Sequence, residues 1–177
     1  MTEASVDPAE ADGVVRAWAQ DAGIDIECTA DGSMVVQLPG ERKLKTTVAV
    51  KIGDYSVRFM AFVIRKPDER HQEFYRWLLE RNGRVHGAAF MIDSLGDVFL
   101  MAELPKAALT VDVCDQLMGE LLSQADGSFN ELLTIGFLSS MQREWDWRIS
   151  RGESTRNLSA FEHLLRRPSE NGGGEGE

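Results

Sequence analysis

The sequence predicts an α+β domain in which an antiparallel sheet of about five strands is flanked by helices in the order α-β-β-β-α-β-β-α. Two observations carry this. Apolar runs with strand-like alternation meet at tight turns, Gly53-Asp54 and Ser94-Leu95-Gly96-Asp97, so neighbouring strands pair as hairpins rather than through crossover helices. Segments with apolar residues three and four apart stand before, between and after those runs.

Each element has its own signal. Asp7-Pro8-Ala9-Glu10 is a helix start, with Asp7 as cap and Pro8 at the first helical position. Val14, Val15, Trp18, Ala19 and Ala22 follow at helical spacing, and Gly23 stops the helix. Ile24 to Thr29 can begin a strand, Asp31-Gly32 turns, and Met34 to Leu38 runs apolar until Pro39-Gly40. Lys45 to Ile52 and Tyr55 to Ile64 form the first long hairpin. Asp68 then caps a helix to about Arg81, which Asn82-Gly83 ends. Val85 to Asp93 and Val98 to Glu103 form the second hairpin, closed by Leu104-Pro105. Thr110 caps a helix from Val111 to Ala125, and Ser128-Phe129-Asn130-Glu131 reads as the capping box of a further short helix ending at Gly136-Phe137. Beyond it Leu138, Met141, Trp145 and Ile149 keep helical spacing, Gly152 interrupts, and Leu158, Phe161, Leu164 and Leu165 suggest another amphipathic turn or two. The expected organisation is a domain over 1–137, a helical extension over 138–167 and a disordered acidic, Gly-rich tail over 168–177.

Composition narrows the function classes. A chain of 177 residues with 43% apolar content can bury a core without staples. A net charge of -10 lacks the basic footprint that nucleic acid or an anionic membrane surface requires, and suits a partner with basic or amphipathic segments. No apolar run reaches membrane-spanning length, and the N-terminus has no signal-peptide pattern, so a cytoplasmic location is expected. Cys28 and Cys114 have no CxxC or His cluster beside them and read as two small buried hydrophobes.

No catalytic constellation emerges. His71, His86 and His163 fall in separate elements, and GxSxG, GxxxxGK[ST] and GxGxxG are all missing. Asp93 and Asp97 flank a hairpin turn, where Asp serves turn hydrogen bonds. The expectation is a protein without enzymatic activity, cofactor or metal.

The unusual property is that both faces of the strands are apolar. From Tyr55 onward Val57, Phe59, Ala61 and Val63 point one way, and Met60, Phe62 and Ile64 the other. Such a sheet must be covered on both sides or expose a large patch. The second cover can be the chain's own helices, a second copy, or a client peptide. Candidate partner or dimer contacts are Phe59, Phe74, Trp77 and Met91, with Trp147 and Arg148 in the extension, where Trp145 takes the helical stripe and leaves Trp147 over. The locally basic middle helix offers Arg65, Arg70 and Arg76 as candidate anion contacts, or as partners of Glu69, Glu73 and Glu80.

These residues carry a resemblance. Asn82-Gly83-Arg84, Asp93-Ser94-Leu95-Gly96-Asp97-Val98-Phe99-Leu100-Met101-Ala102-Glu103-Leu104-Pro105, Gly119-Glu120-Leu121-Leu122, and Ala125-Asp126 with Phe129 through Gly136-Phe137 resemble the YbjN family. That family is described as bacterial sensory-transduction regulators, and its fold is similar to type III secretion chaperones. The resemblance covers about 8–137 and implies a compact, commonly dimeric unit that binds other proteins. No catalytic residue is implied, and the extension after Phe137 is outside the pattern. The resulting expectation is a noncatalytic protein-binding module, chaperone-like or a regulatory adaptor, acting as a homodimer; the alternative is a sensor of small anionic ligands using the basic middle helix.

Overall fold

The computed structural model describes residues 8–166. The Asp7 cap and the 168–177 tail lie outside them. Two compact units divide the chain, Met1–Gly136 and Phe137–Glu177.

The first unit runs α1 (Pro8–Ala22), β1 (Ile26–Cys28), β2 (Met34–Pro39), β3 (Lys45–Ile52), β4 (Ser56–Ile64), α2 (His71–Asn82), β5 (Ala89–Ile92) and β6 (Val98–Pro105), then enters α3 (Val111–Arg151). The architecture is α+β as the sequence predicts. Six strands form one antiparallel sheet in the order β1-β2-β3-β4-β6-β5, so the short run after Gly23 is a strand. β5 begins four residues later than the Val85 signal, because Gly87 at φ 72 turns the chain before pairing starts.

Register separates the two faces. Val36, Val48, Ala61, Leu100 and Phe90 stand in one row across five strands, beside Val50, Phe59 and Ala102. All eight side chains are buried. A β-bulge between Phe62 and Ile64 leaves Val63 unpaired, which is why Val63 and Ile64, adjacent in sequence, are both buried.

Three helices serve this buried face. Val15 and Trp18 of α1 are buried, and the Trp18 indole N–H donates to Asp115 of α3 at 3.0 Å. Trp77 of α2 meets Phe90 edge-on at 5.8 Å between ring centres. Cys114, Met118, Leu121, Ala125 and Leu132 form the buried stripe of α3.

Two helix boundaries differ from expectation. α2 starts at His71 behind Arg70, whose backbone is left-handed (φ 49). Asp68 does not cap it: its carboxylate holds the Arg65 guanidinium at 2.7 and 2.8 Å, and its N–H donates to the Gly136 carbonyl at 2.9 Å. The second difference is larger. α3 is one helix of 41 residues and does not break at Ser128. The Ser128 hydroxyl turns back to the Gln124 carbonyl at 2.6 Å, a bond available inside a helix, so no capping box opens there. Thr110 is the cap, accepting from the Val113 N–H at 3.2 Å. Gly136 sits within α3 because of close packing: a Cβ there would lie 2.8 Å from Pro67 and 2.9 Å from the Phe74 ring.

The second unit holds the end of α3, a 3-10 turn (Arg156–Phe161) and α4 (Glu162–Leu165). Gly152 ends α3 at φ 66. Glu144 is its polar hub, accepting from Arg148 at 2.8 Å and from Asn157 at 3.0 Å. Gln142 donates to the Leu165 carbonyl at 3.1 Å. Met141, Trp145, Leu158, Phe161 and Leu165 are buried, whereas Ile149 is 59% exposed and leaves the expected stripe.

Candidate functional site: the open face of the sheet

The face opposite the helices carries a contiguous set of apolar side chains that stay partly exposed. Val35, Ala49, Met60, Met101 and Ala89 stand in register across five strands. Phe62, Phe99 and Met91 form the next row, with the Phe62 and Phe99 rings edge to face at 5.4 Å. Ala89 is exposed and the other seven are half-buried. Methionine beside phenylalanine makes a surface that adapts to different side chains. Polar rows border it. Lys51, Arg58 and Glu103 share one register line, with Arg58 and Glu103 paired at 2.9 Å. The Glu103 carboxyl is held below its usual range, first by the Ser56 hydroxyl and then by Arg58. Gln37 and Thr47 pair on the other side at 2.9 Å.

At the end of this face the 40–44 loop is clamped to α3. One Asp126 oxygen accepts from the backbone N–H groups of Arg42 and Lys43 at 2.9 and 2.8 Å. Gly40 is required there, since a Cβ would stand 2.4 Å from that oxygen. The Lys43 ammonium donates to the Phe62 carbonyl and lies 4.8 Å from the Phe62 ring centre. Burial lowers its pKa to about 8, against the opposing pull of Asp126. Asp126 and Lys43 had no sequence signal as partners; a carboxylate within α3 and a loop lysine 83 residues apart meet only through the fold.

The predicted contacts fall in different environments. Phe59 and Phe74 are 0% exposed on the helix-covered side, where they build the core and offer nothing to a partner. Trp77 is half-buried between Phe90 and the Arg81 guanidinium, 5.8 Å from its ring centre. Met91 stands on the open face. Trp147, in the second unit, is 47% exposed beneath Arg151 at 5.1 Å, while Arg148 is engaged by Glu144 and by the Ser154 carbonyl at 3.0 Å. The sequence places Met60 and Phe62 on the face opposite Phe59 but does not tell which face is sealed, because the two sets alternate with similar hydropathy; Phe59, not Met60, Phe62, Phe99 or Met101, is therefore the contact it names.

Two of the three predicted anion contacts hold carboxylate partners. Arg65 pairs with Asp68 and Arg70 with Glu73, while Arg76 lines a shallow hollow of about 530 Å³ with both Arg70 and Glu73. Asp93 and Asp97 serve their turn: Asp93 accepts from the Leu95 and Asp97 N–H groups at 2.9 Å, and Asp97 accepts from the Lys66 N–H at 2.8 Å. Cys28 is exposed on the edge strand β1, contrary to expectation, since only three residues pair there. Cys114 is buried, and burial pushes its thiol up to about 12. Among the described residues no group of three His, Cys, Asp or Glu could hold a metal ion, and no helix is long and apolar enough to cross a membrane.

Solved structures share this α+β fold, type III secretion chaperones among them. The ExsC-ExsE complex aligns at TM-score 0.55 with 19% identity, covering 71% of this chain and 95% of that one. The HopA1-SchA chaperone-effector complex gives 0.53 with 14% identity over 71% and 98%. The Yersinia pestis type III secretion chaperone SycH, in complex with a fragment of YscM2, gives 0.50 with 14% identity over 65% and 96%. Residues 12–134 match the family model YbjN, "Putative bacterial sensory transduction regulator", and the chain belongs to that family. It is 49% identical over 135 residues to the uncharacterized protein Rv0487 of Mycobacterium tuberculosis, covering 76% of this chain and 74% of that one. A Mycobacterium leprae protein, ML2442, is 49% identical over 132 residues, covering 75% and 72%.

Proposed function

We propose that this chain is a noncatalytic protein-binding module, a chaperone-like or regulatory adaptor, that presents its open sheet face to a protein partner and acts as a homodimer. The observation that carries the reading is the asymmetry of the sheet. Helices serve one face, while Met60, Phe62, Phe99 and Met101 remain half-buried on the other. A contiguous apolar surface of this kind marks an interaction site in a folded domain. The solved chaperones that share the fold are complexed with protein partners, which supports the class of ligand.

The test uses the full chain and the double variant Met60→Asp/Met101→Asp. Affinity capture from native lysate with mass spectrometry should lose partners in the variant while its circular dichroism is unchanged. Sedimentation of the parent protein should give a dimer at micromolar concentration. A monomer at high micromolar concentration, with the same captured set for both proteins, sinks the proposal.

A further inference from the structure

Trp147 belongs to a second surface, outside residues 12–134 that match the family. In α3, Arg143, Trp147 and Arg151 follow one another at four-residue spacing, so both arginines lie within about 40° of the indole around the helix axis. All three are exposed, and the Arg151 guanidinium stacks over the Trp147 ring at 5.1 Å. Among the described residues neither arginine makes an ion pair; Arg143 donates to the Ser140 hydroxyl at 2.9 Å. The carboxylates of this unit are engaged elsewhere. Glu144 accepts from Arg148 and Asn157, Glu153 stands 3.9 Å from Arg148, Glu162 pairs with Arg166, and Asp146 accepts from Gln142 at 3.0 Å. The described part of the second unit thus holds five arginines against four engaged carboxylates, in a chain of net charge -10. The unmatched charge of the stripe is positive, and an exposed indole sits at its centre.

We propose that the Arg143–Trp147–Arg151 stripe binds an acidic segment of a protein partner, with a carboxylate on each arginine and an apolar side chain between them on the indole. Eight helical residues set the two arginines about 12 Å apart along the axis. An extended chain places side chains four residues apart on one side at about 13 Å, with the residue midway facing the same way. The fitting segment therefore carries Asp or Glu at two positions four apart and an apolar residue midway. Stacking holds the Arg151 fork over the ring while its N–H edges stay free, so less side-chain freedom is lost when a carboxylate arrives. Tryptophan and arginine are the residues that most often anchor protein interfaces. A few unpaired arginines on a chain of net charge -10 lack the basic footprint that nucleic acid requires. This contact is separate from the open sheet face and does not rest on it.

The test uses the full chain and two labelled peptides of one frame, with Glu or Gln at two positions four apart and Phe midway. Fluorescence anisotropy at low salt should show the Glu peptide binding about fivefold more tightly, the gain expected of two exposed ion pairs. Arg143→Gln/Arg151→Gln should cut that preference to about twofold or less. Trp147→Ser should weaken both peptides by about threefold. Arg76→Gln/Arg84→Gln, the same charge change on exposed arginines of the first unit, should leave the preference intact. Equal affinity for the two peptides, or no binding of either, overturns the inference. So does a preference that survives Arg143→Gln/Arg151→Gln, binding that ignores Trp147→Ser, or an equal loss in both arginine pairs, which would assign the preference to net charge. Oligothymidine that binds more tightly than the Glu peptide, and loses that binding in Arg143→Gln/Arg151→Gln, gives the stripe to nucleic acid and overturns it. If Glu170→Gln/Glu175→Gln/Glu177→Gln raises the affinity for the Glu peptide, the chain's own acidic segment takes the stripe and the separate partner falls.

Discussion

Asn82 occupies both backbone polar groups of Phe90: its Oδ1 accepts from the Phe90 N–H at 2.7 Å and its Nδ2 donates to the Phe90 carbonyl at 3.2 Å. Among the described residues β5 is an edge strand, paired with β6 alone. The two groups Asn82 binds are those Phe90 turns away from β6, so one amide side chain closes part of the edge as a seventh strand would.

Replacing Asn82 should therefore cost more than an exposed helix end normally does. Asn82→Ala leaves a part-buried donor and acceptor unpaired and should destabilise by about 1–3 kcal/mol in urea unfolding. Asn82→Asp keeps the acceptor, sets an oxygen against the Phe90 carbonyl, and should be no better than Ala. Hydrogen exchange at the Phe90 amide should accelerate in both. Unchanged exchange would mean that the strand edge is protected by something else.

The same residue illustrates what was legible. Asn82-Gly83 marks the end of α2 in the sequence, and the helix does end at Asn82. The bond to Phe90 lies eight residues away across a turn and leaves no periodic trace. Strands were readable because alternation and turn residues are local. The split of the face was not: Phe59 and Met60 have similar hydropathy, and which one is sealed depends on where helices far away in sequence settle. The Ser128 signal misled for a related reason, since a hydroxyl that can cap a helix can equally bond the carbonyl four residues back within one.

Gly136 shows how packing decides helix continuity. Its missing side chain admits Pro67 and the Phe74 ring, and its carbonyl accepts from the Asp68 and Glu69 N–H groups at 2.9 and 3.2 Å. Gly136→Ala raises helix propensity, yet should destabilise the protein by about 1–3 kcal/mol through overpacking. Gly119, with open space around it, is the control: Gly119→Ala should be neutral or stabilising by up to about 1 kcal/mol. Equal effects at the two positions would refute the packing explanation.

Lys43 links stability to alkaline pH. Its pKa in the fold, about 8, lies below the ordinary 10.5, so the unfolded chain binds the proton more strongly. Between those values the unfolded state carries more protons, and this group's contribution to stability rises with pH. Screening of its exposed portion limits the gain to about 1 kcal/mol. Lys43→Met should remove this component, so the difference between variant and parent should change by that amount from pH 8 to 10.5. Parallel stability curves across the window would show that the lysine is not desolvated.

Phe59 and Met60 are neighbours in sequence with opposite expected phenotypes. Phe59 is 0% exposed and stands between Val50 and Ala102, whereas Met60 stands half-buried between Ala49 and Met101. Phe59→Ala opens a cavity in the core and should cost about 3–5 kcal/mol, lowering partner capture only as far as folded protein is lost. Met60→Ser gives up a partly solvated side chain and should cost about 1 kcal/mol or less, while weakening capture at temperatures where the fold is intact. Thermal denaturation and capture measured on the same preparations separate the two. If capture tracks melting temperature for both variants, the open face has no role beyond the fold; if only Met60→Ser uncouples them, binding belongs to that face.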